Sequence, residues 1–182
     1  MRILHRSLSS FVRNTAGVSA IEFALIAPLM ISLYIGACEL CNILLADRKV
    51  TNVTAATTDL VAQEMSISNN EMTDIFSASS AIMEPYSLAS LQIVVSSVVM
   101  DANNNITVAW SDGYQATPRA VGSAYTLPAG FTDYMSAGSS VIVTEVTYVY
   151  TSPIEEILPN GLNVHDTFYQ KPRRTAQISR VS

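Results

Sequence analysis

Ala20–Cys38 reads AIEFALIAPLMISLYIGAC, and these nineteen residues decide the fold because Glu22 is their only charge. At about 1.5 Å per helical residue the run is roughly 28 Å long, enough to cross the hydrocarbon core of a bilayer. Past it, Glu39–Ala46 stays compatible with a helix, and Asp47-Arg48-Lys49 marks the return to water. The expectation is a helix that spans a membrane and projects beyond it.

On the N-terminal side lie Arg2, Arg6 and Arg13, with no Asp or Glu before residue 18. After the run come Arg48 and Lys49, accompanied by Glu39 and Asp47. Basic residues are retained on the cytoplasmic side, so the bias predicts the N-terminus inside and the body outside. A secretory signal peptide also starts basic and turns apolar, but this run exceeds the usual apolar length and no A-x-A site closes it. The whole chain carries a net charge of −5, and without Met1–Gly17 it would be three charges more acidic. Such a body lacks the clustered positive charge that displaces counterions from nucleic acid. Its 182 residues suffice for one modest core plus an anchor.

Two residues of the span ask for an explanation. A carboxylate at Glu22 is costly in an apolar helix unless it is paired, protonated or near the interface. Taken alone, it either snorkels at the interface near the positive end of the helix dipole or meets a partner. Pro28 removes a backbone donor and crowds the carbonyl of Ala24, which predicts a kink or local unwinding. The alternative is a proline merely tolerated in a span.

The string Gly17-Val18-Ser19-Ala20-Ile21-Glu22-Phe23 resembles the processing motif of type IVb prepilins and tight-adherence pseudopilins. Its continuation through Ala24-Leu25-Ile26-Ala27-Pro28-Leu29, with Gly36 and Glu39 later in the helix, resembles the TadE-like pattern. The resemblance covers residues 13–45, and the body only loosely. It implies a prepilin peptidase that cuts after Gly17 on the cytoplasmic side, leaving Val18 as the new N-terminus and Glu22 as the fifth residue. It further implies that Glu22 and Phe23 act in assembly, with Glu22 of one subunit neutralising the Val18 amine of a neighbour. The chemistry is coherent, since a glycine lets the backbone enter a protease cleft and the cut removes the arginines that hold the leader inside.

In the body, Val50–Ser66 continues a helical pattern through Val53, Ala56, Leu60, Val61 and Met65. Ser68-Asn69-Asn70-Glu71 reads as a capping box. The short helix it opens carries Met72, Ile75, Phe76, Ser79, Ile82 and Met83 on its apolar face and ends near Pro85. The texture then turns to strand: Leu91–Met100 and Ile106–Trp110 form a hairpin around Asp101–Asn105, and Ser140–Tyr150 and Asn163–Gln170 follow a Pro/Gly-bearing loop. Pro153–Leu158 reads as a helical turn. The expected fold class is α+β and pilin-like: a long N-terminal transmembrane helix packed at its outer half on a small antiparallel sheet, with one additional short helix. Residues 1–17 are expected as a basic leader peptide, 18–46 as the transmembrane helix and 47–182 as an extracytoplasmic domain. Trp110, Tyr114, Tyr148 and Tyr150 are read as ordinary sheet residues, with a contact role as the alternative.

The chemistry of an enzyme is not visible. The histidines are His5 and His165, too few for a metal cluster, and Glu155-Glu156 reads as a solvated pair. No phosphate loop, dinucleotide fingerprint or nucleophile elbow occurs, nor a D-x-S-x-S metal motif. Cys38 and Cys41 lie on one helix face near the membrane exit without a redox pattern around them and are read as packing residues. A sharper alternative is a lipobox at Ile35-Gly36-Ala37-Cys38. No cofactor, metal or small-molecule substrate is expected. The expected partners are the membrane, a prepilin peptidase and other pilin-like subunits, and the expected place is the bacterial inner membrane with a periplasmic domain. The function this implies is that of a minor pseudopilin in a tight-adherence (Flp-type) pilus system. Competing with it are an unprocessed single-pass membrane protein whose outer domain binds another envelope partner, and a lipoprotein modified at Cys38.

Overall fold

The computed structural model describes residues 17–154 and 161–181. The leader ahead of Gly17 lies outside the described residues, as does the expected turn from Glu155 onward, with the Glu155-Glu156 pair. The chain divides into two compact units, Met1–Asn42 and Ile43–Ser182, and a single helix, α1 (Val18–Gln63, 46 residues), runs from the first into the second.

In the second unit, the end of α1 is followed by β1 (Ser66–Ile67), α2 (Asn69–Ser80) and a 3₁₀ turn at Ala81–Met83. Strands β2 (Gln92–Met100), β3 (Ile106–Tyr114), β4 (Ser140–Tyr150), β5 (Leu162–Gln170) and β6 (Ser179–Arg180) complete it. The four longer strands form an antiparallel sheet in the order β3-β2-β4-β5. Residues 43–63 of α1 and the short helix α2 lie against one face of that sheet. The α+β arrangement of helix, small antiparallel sheet and short helix is therefore the one the patterning predicts.

The expected capping box is present. Ser68 Oγ accepts from the Glu71 amide at 3.3 Å, and the Glu71 carboxylate accepts from the Ser68 amide at 2.7 Å. These two bonds satisfy donors that the first turn of a helix otherwise leaves open. The β2–β3 turn closes in a similar way, with Asp101 Oδ1 accepting from the amides of Asn103 and Asn105 at 2.8 Å each. Those bonds hold the Asp101 carboxyl below its usual range, the side-chain bond from Asn105 foremost.

The buried stripe on the outer part of α1 differs from the one expected. Val53 and Val61 are buried, but Leu60 and Met65 are exposed, and Val50, Thr54, Thr57, Thr58 and Ala62 take the inner positions. The threonines make this possible. Their hydroxyls donate to carbonyls one turn back, Thr54 to Val50, Thr57 to Val53 and Thr58 to Thr54, at 2.7–2.8 Å. With the polar atom satisfied inside the helix, each residue presents its methyl group to the core.

Side-chain alternation divides the core between the two faces of the sheet. Ile93, Val95, Ile142, Val146 and Tyr148 pack with Val50, Val53, Val61, Met72 and Phe76 on the helical face. Val98, Met100, Val141 and Val143 pack under the loop residues Leu127 and Met135 on the other. Strand β3 contributes to both, through Ile106 and Val108 on the loop side and Trp110 on the helical side. The register shift opposite Ser97/Val98 explains this: Trp110 pairs with Ser97 and Val108 with Val98, so Ala109 is an extra residue that reverses the alternation. Beyond Trp110 the ladder continues against Ile93–Ser96, so β3 extends to Tyr114 rather than ending at Trp110.

The segment after β5 was not expected to have a structural role, and it has several. The Arg173 amide donates to the Ala62 carbonyl at the end of α1, and the Ala176 carbonyl accepts from the Ser140 amide. Strand β6 then pairs in parallel with β1, Ser66 opposite Ser179 and Ile67 opposite Arg180. Trp110 Nε1 donates to the Ile178 carbonyl at 2.7 Å, which ties this strap to the sheet.

Candidate functional site: the apolar N-terminal helix

In its first unit, α1 is an apolar surface. An 18-residue window has a mean hydropathy of 2.0 and none of it is buried. Phe23 is 72 % exposed, and Leu25, Leu29, Leu33 and Tyr34 stand out equally. A core helix of a soluble protein with that hydropathy would be covered by other parts of the chain. This one presents its side chains to its surroundings, as a helix solvated by lipid or by other helices does. Among the described residues α1 alone is long and apolar enough to cross a membrane.

Of the residues singled out from the sequence, Val18, Glu22, Phe23 and Pro28 lie in about the first three turns of this helix. Gly17 precedes it, and a Cβ there would meet none of the described residues within 4 Å. Val18 begins the helix, and Glu22 follows one turn later, about 6 Å along the axis. Glu22 and Phe23 are both exposed. The ion pairs among the described residues all lie in the second unit, and none involves Glu22. Helix α1 runs uninterrupted through Pro28, and the carbonyl of Pro28 accepts from Ser32 Oγ at 2.8 Å. Further along, Gly36 is exposed, while Glu39 is 5 % exposed with Oε1 lacking a hydrogen-bond partner among the described residues. Cys38 and Cys41 are free and exposed on the helix.

The second unit holds polar constellations that the sequence reading passed over. Arg119 donates to both carboxylate oxygens of Glu145, Nε at 2.7 Å and Nη2 at 2.6 Å, and its guanidinium lies 4.9 Å from the centre of the Tyr125 ring. The bonds to Glu145 raise the Arg119 pKa further, and burial pushes the Tyr125 phenol up. Arg119 and Glu145, with Gln92, Thr147 and His165, border a shallow groove of about 300 Å³. His165 sits between the hydroxyls of Thr147 and Thr167, at 3.1 and 3.2 Å. A larger cleft of about 610 Å³ lies between α2 and the end of β3, lined by Met72, Phe76, Tyr114 and the Asp112–Arg180 pair. The Arg119–Glu145 and Asp112–Arg180 partners lie 26 and 68 residues apart in the chain, and no local motif announces them. Among the described residues no group of three His, Cys, Asp or Glu side chains could hold a metal ion.

No curated protein and no solved structure matches the chain. The family model described as TadE-like protein matches residues 17–59, which is α1 from the expected cut almost to its end and none of the sheet. Over that stretch the chain is similar to TadE-like proteins, and the match together with the single apolar N-terminal helix supports a general role as a pilin-like membrane protein.

Proposed function

We propose that this protein is a minor pseudopilin of a tight-adherence (Flp-type) pilus system, acting in pilus assembly and surface attachment. Residues 1–17 serve as a leader held in the cytoplasm by its arginines, 18–46 as the span, and 47–182 as the extracytoplasmic domain. A prepilin peptidase cuts after Gly17. The freed Val18 amine is a cation at the membrane edge, and Glu22 of a neighbouring pilin-like subunit neutralises it, with Phe23 packing beside the pair. Two charges that are each costly in an apolar setting then set the register between subunits. Pro28 shapes the packing of the helix among its neighbours. The observation that carries this reading is the exposed apolar helix bearing Glu22 one turn past its first residue, Val18, in the segment that is similar to TadE-like proteins.

The deciding measurement is the N-terminus and mass of the membrane-extracted protein. Val18 at the N-terminus is the expected result. Retained Met1 points instead to an unprocessed single-pass protein, and a lipid on Cys38 to a lipoprotein. Glu22→Ala is then expected to leave membrane insertion intact, since it makes the span more apolar, and to reduce piliation. Normal piliation by that variant removes Glu22 from the mechanism.

A further inference from the structure

Ile154 follows β4 and Leu162 opens β5, and each of these apolar side chains is 38 % exposed. Their height along α1 says what covers them. At the other end of β5, Gln170 Nε2 donates to Asp59 Oδ1 at 3.1 Å. From there eight strand steps of about 3.4 Å carry β5 back roughly 27 Å to Leu162. The sixteen helical steps from Asp59 back to Ile43 cover about 24 Å. A crossing angle between strand and helix shortens the strand's projection, so Leu162 comes level with the turn Ile43–Ala46.

A separate chain of contacts leads to the same level. Lys49 Nζ donates to the Ile82 carbonyl at 2.8 Å, and the Tyr86 amide donates to the adjoining Met83 carbonyl at 2.8 Å. The centres of the Tyr86 and Tyr150 rings are 6.1 Å apart, and Tyr150 stands opposite Leu162 in the sheet. On α1 itself, Leu44 and Leu45 are exposed at this height.

We infer that this end of the second unit rests in the lipid interface, with Ile154 and Leu162 buried among headgroups and upper acyl chains at the depth of Leu44 and Leu45. The inference rests on the span of residues 18–46 in the proposed function, and on neither cleavage nor Glu22. The bilayer is the occupant because the helix that enters this end of the unit crosses it. With Ala46 the last residue of the span, the lipid surface lies at the height of Ile43–Ala46, and any other partner would have to be inserted between the domain and lipid it already meets. Apolar side chains gain there by leaving water. Arg48, exposed one turn beyond Leu44, is placed to reach lipid phosphates with its guanidinium. The domain then stands on the membrane at two places, the helix and the β4–β5 end, and the second contact must be given up when a subunit leaves the bilayer.

The test is fluorescence quenching on the full-length chain reconstituted in phosphatidylcholine vesicles. In a Cys38→Ser/Cys41→Ser background, one nitrobenzoxadiazole label is attached at Ile154→Cys, Leu162→Cys, Tyr134→Cys or Leu33→Cys. Tyr134 is 73 % exposed and its carbonyl accepts from Lys171, the residue after Gln170, so it marks the opposite end of the sheet. Leu33 marks the span. Spin-labelled phosphatidylcholine is expected to quench the labels at Ile154 and Leu162 about threefold more than the one at Tyr134, with iodide quenching in the reverse order. Iodide reaching Ile154 or Leu162 as freely as Tyr134, while the label at Leu33 is quenched from the lipid, overturns this inference alone. A label at Leu33 that lipid does not quench overturns the span, and this inference with it.

Discussion

Arg180 shows what a single side chain does in the second unit. Its guanidinium donates to both Asp112 oxygens, at 2.8 and 3.1 Å, and also to the Ile67 carbonyl, the Asn69 side chain and the Val181 carbonyl. The side chains of the pair are 20 % and 24 % exposed, so water screens them only in part. Asp112 raises the Arg180 pKa, and the group stays cationic at every accessible pH. Arg180→Ala is expected to lower stability by about 1–2 kcal/mol, read as a shift of the urea midpoint of the detergent-solubilised protein. Arg180→Lys should recover less than half of that, because an ammonium cannot repeat the planar fork.

Among the elements, α2 owes its start to chemistry written locally, and Ser68→Ala should cost about 1 kcal/mol by breaking the capping box. Faster hydrogen exchange confined to the first turn of α2 is the accompanying sign. The outer part of α1 depends on something different. Its threonines bond their own helix and give methyl groups to the core, so Thr57→Val should change stability by less than about 0.5 kcal/mol. Thr57→Ser, which keeps the hydroxyl and deletes the methyl, should cost about 1 kcal/mol. If the serine variant proves the milder of the two, the hydroxyl rather than the methyl group matters there.

The molecule as a whole should respond to acid. Asp59 is held low by its bond from Gln170 and by Arg173, Glu71 by Ser68, and Asp101 by Asn105. Each folded-state pKa lies below the unfolded one, so the stability these groups add is present above about pH 4, the ordinary carboxylate range, and is lost as pH falls through their lower native values. The melting temperature should be nearly level from pH 8 to 5 and drop below about 4. Asp59→Asn and Asp101→Asn should flatten that drop, and an unchanged acid limb in the double variant would count against this account. Asp59 and Arg173 also join α1 to the strap that follows β5, so weakening on the acid side should begin where these two segments meet.

How much of this was legible in advance depends on how far apart the cooperating residues lie. The span, the capping box and the strands each rest on residues within one window, where hydropathy, a four-residue motif or β-branched runs speak for themselves. That window also carries Gly17, Val18, Glu22, Phe23 and Pro28, which is why the candidate assembly helix was readable before any packing was known. Tertiary structure alone decided the rest. It put threonines rather than Leu60 and Met65 inside, because only packing shows which face of a helix turns inward once its hydroxyls are satisfied. It placed the extra residue Ala109, which turns Trp110 to the other side of the sheet. It also drew residues 171–181 back to β1 and Trp110, since a two-residue parallel ladder between segments more than a hundred positions apart leaves no periodic trace in either of them.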